Sequence, residues 1–126
     1  MTVYISDYLA NKILNKALRN ADFSVVTPYV SAHTADPGGT GASEGVGGSY
    51  ARVAGTFDAP SSRATANTDI IDFEGMPAAT ITHVGVWDAA SGGNFLFGGP
   101  LAVAKTTNAG DTFRLPSGDL DIGIPT

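Results

Sequence analysis

The sequence contains no cysteine, so disulfides, thiolate metal sites and a cysteine nucleophile are all excluded. Basic residues are scarce: seven lysines and arginines face twelve acids, for a net charge of −5. With no cluster of Lys and Arg to offset that balance, a nucleic-acid backbone would be repelled, and direct nucleic-acid binding is not expected. Long apolar runs are absent too. Nothing approaches the roughly 20 residues that span a bilayer, and the N-terminus lacks a basic segment followed by an apolar stretch. We therefore expect neither a signal peptide nor a membrane anchor. Histidine is represented only by His33 and His83.

Glycine and proline are plentiful by contrast, at 16 and 7 of 126 residues, and are spread along most of the chain, a composition that suits short strands joined by tight turns. The length fits one domain, residues 1–126, and is short for two. Near the N-terminus Ala10, Ile13, Leu14, Ala17, Leu18 and Ala21 recur at helical spacing, which predicts an amphipathic helix over residues 6–20. Ser6 is its N-cap candidate. Asp7 suits the positive end of the helix dipole, and Lys16 and Arg19 suit the negative end.

Beyond Asn20 the pattern is β-type. Strands are predicted at Phe23–Val26, Tyr29–His33, Tyr50–Phe57, Asp69–Phe73, Ile81–Trp87, Phe95–Leu101, Thr112–Leu115 and Leu120–Ile124, with no second helix. Turn residues separate them: Pro60-Ser61-Ser62, Gly75-Met76-Pro77, Ser91-Gly92-Gly93-Asn94, Asn108-Ala109-Gly110-Asp111 and Pro116-Ser117-Gly118. Alternation is imperfect in Ile81–Trp87 and missing in Phe95-Leu96-Phe97, so both faces of these strands are expected to be covered. Residues 36–49 hold six glycines and one proline among fourteen residues and read as a long exposed loop. The fold expected is mainly β, an antiparallel β-sandwich or jelly-roll-like domain with one N-terminal α-helix.

Each residue type that could carry chemistry also has a structural role open to it. A histidine base needs a nucleophile and an orienting carboxylate beside it, and no motif places His33 or His83 in such a set. His83 is expected to be half-buried beside Trp87, and His33 to fix the turn at Thr34–Pro37 by a hydrogen bond. Asp69, Asp72 and Glu74 are the densest acidic group and Asp119 with Asp121 a second, but neither has the spacing of a calcium loop. In a strand Asp119 and Asp121 would share a face that could meet basic residues of a neighbouring subunit. The glycine-rich loop is followed by the strand-like Tyr50-Ala51-Arg52-Val53, not by a helix and lysine, so it is read as a flexible or partner-contacting arm and not as a phosphate cradle. Eleven aromatics, among them Tyr50, Trp87, Phe95 and Phe97, are expected mostly in the core, with a sugar-binding strip as the weaker alternative.

Four phrases then stand in order: Tyr29-Val30-Ser31-Ala32-His33-Thr34-Ala35-Asp36-Pro37-Gly38, Gly47-Gly48-Ser49-Tyr50-Ala51-Arg52, Ile81 to Asn94, and Lys105 to Phe113. Together they resemble a widespread family of small tailed-phage proteins labelled virion structural or tail-fibre proteins, over nearly the whole chain. The resemblance implies a particle component assembled in the bacterial cytoplasm, with no catalytic residues, cofactor or metal site and no enzymatic activity. A fibre shaft would need a repeat or coiled-coil seam, which this chain lacks. We therefore expect first a capsid decoration or cement protein bound to the major capsid protein or to copies of itself. The alternative is a tail-associated module bound to other tail proteins or to the host surface, and the weaker one is a carbohydrate-binding domain.

Overall fold

The computed structural model describes residues 3–124. Among the described residues nine strands and one helix run in the order β1 (Tyr4–Ile5), α1 (Asp7–Arg19), β2 (Tyr29–His33), β3 (Val53–Ala54), β4 (Ala64–Ala66), β5 (Ile71–Met76), β6 (Ala79–Trp87), β7 (Phe95–Thr107), β8 (Asp111–Leu115) and β9 (Asp121–Gly123). A five-stranded antiparallel sheet has the order β1-β7-β6-β2-β3, and two antiparallel ribbons, β4-β9 and β5-β8, complete the sandwich.

The helix starts and stops where its caps dictate. The Ser6 hydroxyl accepts from the Leu9 N–H at 3.1 Å, and Asn20 ends the helix in the left-handed conformation at φ 54°. Ser6 is also buried, donating to the Phe95 carbonyl at 2.6 Å, so the N-cap ties α1 to the start of β7.

The core lies between the sheet and the ribbons. Val30 and Ala32 of β2 pair in register with Val86 and Val84 of β6, and these four meet Ile71, Phe73, Phe113, Leu115 and Ile122 from the ribbons. Tyr50, Phe73 and Phe113 form a stack with centroid spacings of 5.9 and 5.6 Å. Asn67, fully buried, closes the ribbon side: its amide donates to the Asp69 and Pro116 carbonyls while its oxygen accepts from the Leu120 N–H. A buried amide with all its partners supplied in this way ties the Asn67–Asp69 segment to the Pro116–Leu120 turn.

Several strands differ from expectation. Phe23–Val26 is not a strand; Phe23 and Val25 turn toward the core without a ladder partner, and Phe23 packs edge-on against Tyr8 of α1. Tyr50–Phe57 shortens to β3, and β1 and β4 form where no strand was expected. Gly75 and Met76 do not end the third run. They lie inside β5, where a register shift between Phe73 and Met76 and a positive φ of 62° at Gly75 make a bulge. The run Phe95-Leu96-Phe97 is explained by another bulge: Trp87 pairs with Phe95 and Val86 with Phe97, leaving Leu96 as the extra residue. Phe95 therefore faces away from the core while Leu96 and Phe97 pack toward it.

Candidate functional site

The second face of the sheet is also covered, as the broken alternation of β6 requires. Ser31, His33, Gly85, Trp87 and Phe95 lie on that side, all buried, and residues 36–49 fold back over them. Most of this loop is exposed, as expected, but it is not a free arm. Pro37, Gly41 and Gly45 are buried, the Gly41 and Ala42 N–H groups donate to the Pro37 carbonyl, and the Gly45 N–H donates to Ala32 of β2 at 2.8 Å. At its far end the Ser49 N–H donates to the Gly75 carbonyl in the β5 bulge.

Missing side chains make this closeness possible. A Cβ on Gly41 would lie 2.3 Å from the Trp87 ring, and one on Gly85 or Gly98 would lie 2.6 or 2.8 Å from the Phe95 ring. Gly41 in addition has φ +80°. Three glycines far apart in sequence thus clear one space around two stacked-edge aromatics, Trp87 and Phe95, whose centroids are 5.2 Å apart.

Polar bonds then lock the loop down. The Trp87 indole donates to the Ser31 hydroxyl at 2.9 Å, and Ser31 lies 2.6 Å from His33 Nε2. Ser31 therefore donates to Nε2, which leaves the His33 proton on Nδ1, 2.8 Å from the Ala42 carbonyl that accepts it. Both partners of the Ser31–His33 pair have no exposed surface, so the arrangement has the distance of a nucleophile and base but no path for a substrate. The His33 bond reaches Ala42, farther along the loop than the Thr34–Pro37 turn it is expected to fix. His83 is half-buried, sits opposite His33 in the β2–β6 register and bonds Thr82 Oγ1 through Nδ1 at 2.8 Å.

Arg52 is the second lock. Its guanidinium lies 3.7 Å above the Trp87 ring, donates from Nε and Nη2 to both carboxylate oxygens of Glu44 at 2.9 Å, and donates from Nη1 to the carbonyls of Ala89 and Gly92. The glycine-rich loop, the edge strand and the β6–β7 hairpin are joined by one side chain. Tyr50 adds a bond to Glu44 Oε2 at 2.8 Å and accepts from the Ala32 N–H. Tyr4 donates to Asp36, whose carboxylate also accepts from the Gly38 N–H.

The titrating groups follow from these contacts. Burial pushes His33 below its ordinary value, against the pull of the Ala42 carbonyl and Glu44. Burial alone would raise the Glu44 carboxyl, but bonds from Arg52 and Tyr50 outweigh it and hold it below the usual range. Burial and the neighbouring Glu44 push the Tyr50 phenol up, so it stays protonated as a donor.

The other candidates do not converge. Asp72 of β5 pairs with Arg114 of β8 across the register through two bonds of 2.7 and 2.9 Å, Asp69 accepts from Thr56, and Glu74 is exposed. Asp119 falls in the turn before β9, so it does not share a strand face with Asp121. Among the described residues no group of three or more His, Asp or Glu side chains is placed to hold a metal. Trp87 and Phe95 are buried, Tyr50 and Phe97 half-buried, and none of the four belongs to an exposed strip. The Arg52–Glu44–Trp87 assembly was not visible in the sequence. The one signal was the unusual glycine density in a loop that also contains a glutamate eight residues before an arginine.

The family model described as podophage GP4 fiber I protein gp80 matches residues 4–123, and the chain belongs to that family. A search of curated proteins finds no match.

Two outcomes test the clasp. Gly41→Ala should lose about 2–4 kcal/mol in denaturant unfolding, from overpacking against Trp87 and a strained left-handed backbone. Gly39→Ala, with open space around its Cβ and no positive φ, should stay within about 0.5 kcal/mol of wild type. For pH, the unfolded chain takes up a proton at the ordinary histidine value of 6.5 before the folded one does. The stability carried by neutral His33 is therefore complete above 6.5 and is lost as pH falls through the lower folded value. Glu44, Asp36, Asp72 and Asp88, also held low, contribute above their ordinary 3.8–4.5 and are lost only at more acid pH. Melting temperature should fall between about pH 7 and pH 5, and His33→Asn, less stable overall, should flatten that decline. An equally steep decline in the variant would assign the effect elsewhere.

Proposed function

We infer that the chain is a non-enzymatic building unit of a phage fibre, with its outer surface engaged by other virion proteins. The observation that carries this reading is the family match over residues 4–123, whose description names a fibre protein. The interior fits a structural use of polar groups: Ser31 and His33, which have the spacing of a reactive couple, are sealed beneath the glycine-rich loop and used to hold it.

Decoration of the capsid is the second reading, favoured by the compact sandwich in place of an extended shaft. A cement subunit would add interface area over the head lattice and resist internal pressure. Immunogold labelling of intact particles with an antibody to this chain separates the two. Label is expected on the fibres, and label distributed across the head would overturn the fibre reading in favour of decoration.

A further inference from the structure

Trp87 and Phe95 are buried, yet neither belongs to the apolar cluster that holds the sandwich together. They occupy a compartment of their own on the outer face of the sheet, and its cover is thin. Within residues 38–43, the part of the loop that runs over Trp87, only Gly41 is buried. The segment has open space at Gly38 and Gly39 and is anchored on both sides, by the Tyr4–Asp36 bond before it and by Glu44, held by Arg52 and Tyr50, after it. It is tied to the end of β2 where the Thr34 N–H donates to the Ser43 carbonyl at 3.0 Å and His33 Nδ1 donates to the Ala42 carbonyl at 2.8 Å. Between those two carbonyls Ser43 sits in the left-handed region at φ 63°, which a serine keeps only while its surroundings impose it.

The His33 tie depends on a proton count. Nε2 carries no proton, because it accepts from the Ser31 hydroxyl, which in turn accepts from the Trp87 indole. A second proton on the ring reverses the first of these bonds. Ser31 then accepts from both rings, and its own proton is left without a partner among the described residues, in a place with no exposed surface. The charges facing the ring come from each element around it. Arg52 beside β3 and His83 of β6 disfavour an imidazolium, Glu44 and the Ala42 carbonyl of the loop favour it, and Ser31 of β2 and Phe95 of β7 bring no charge. Asp36 acts on His83 from the loop. Desolvation decides the sum, so the covered ring is harder to protonate than one in water. Both anchors, Asp36 and Glu44, are held below the usual carboxylate range and keep their charge where His33 titrates.

We propose that residues 38–43 form an acid-released flap, closed over Trp87 while His33 is neutral and lifted between the Asp36 and Glu44 anchors when His33 Nε2 takes up a proton, with the sandwich intact beneath. Lifting admits water to the imidazolium, lets Ser43 leave the left-handed region and uncovers an aromatic surface at acid pH. The device rests on the hydrogen bonds of the loop and holds wherever in the particle the chain sits.

Trp87 is the only tryptophan of the chain, so its access to a neutral quencher reads the flap directly. Acrylamide quenching and far-UV circular dichroism of the full chain are to be followed together from about pH 8 to about pH 4.5. Quenching should rise severalfold along one titration centred below 6.5, at the midpoint that imidazole NMR gives for His33 in the same sample, while the dichroism keeps its neutral value. His83→Gln should keep that rise, and His33→Asn should lose the pH dependence. Should His33→Asn fail to fold, the NMR midpoints of wild type still decide between the two histidines. Quenching that stays flat until the dichroism collapses, that follows the His83 midpoint, or that keeps its pH dependence in His33→Asn would overturn the proposal.

Discussion

The close approach of a glycine-rich backbone to the rings of Trp87 and Phe95 is the contact on which the rest of the molecule depends. A sheet in a small sandwich ordinarily buries one face and leaves the other to water. Here the outer face holds a tryptophan, a phenylalanine, a serine and a neutral histidine, none of which could remain there without cover. Residues 36–49 supply it, and they reach the rings because positions 41, 85 and 98 carry no Cβ. The loop is in effect a third layer, made of backbone where most folds would use a helix.

Once that layer is in place, each polar group has an assigned partner. Trp87 donates to Ser31, Ser31 to His33, and His33 to the loop carbonyl of Ala42, a chain with one consistent direction of donation. Arg52 spreads its donors over Glu44, Ala89 and Gly92 while lying on the Trp87 ring, so a charge that would be poorly tolerated alone is both paired and stacked. In a chain with few charged residues, one arginine joins three segments. The economy has a physical consequence for function: a domain rigidified on the inside presents a fixed outer shape, which is what a repeating contact in a particle requires.

Much of this fold was legible in the residues. The helix and its N-cap were readable because Ser6, Asp7, Lys16 and Arg19 act locally, through hydrogen bonds and the dipole, whereas the left-handed C-cap at Asn20 came from the structure. The strands β2, β6, β7 and β8 were readable because their apolar runs are long and bounded by turn residues. Tyr4–Ile5 and Ala64–Ala66 were missed because such short strands exist only through their partners β7 and β9. Phe23–Val26 was over-read because burial of Phe23 and Val25 gives the same pattern as a strand without a ladder. The loop's location was legible but its role was not. Glycine that permits flexibility and glycine that permits contact are the same letter, and only the partner rings, about 45 to 55 positions away in the chain, distinguish them. A hydrogen-bonding role for His33 could be assigned from its position, whereas its link to Ser31 and Trp87 needed the β2–β6 register.

The family match sets this body in a phage fibre lineage, and the clasp explains how a chain without disulfides keeps a long glycine-rich segment in one place. Amide hydrogen exchange at the loop tests that explanation most directly. The account requires the N–H groups of Gly41, Ala42 and Gly45 to be protected to a degree approaching that of the central strands β2 and β6, because their opening would uncover Trp87 and Phe95. Exchange at those three amides as fast as in an unstructured peptide, with β2 and β6 still protected, would contradict it.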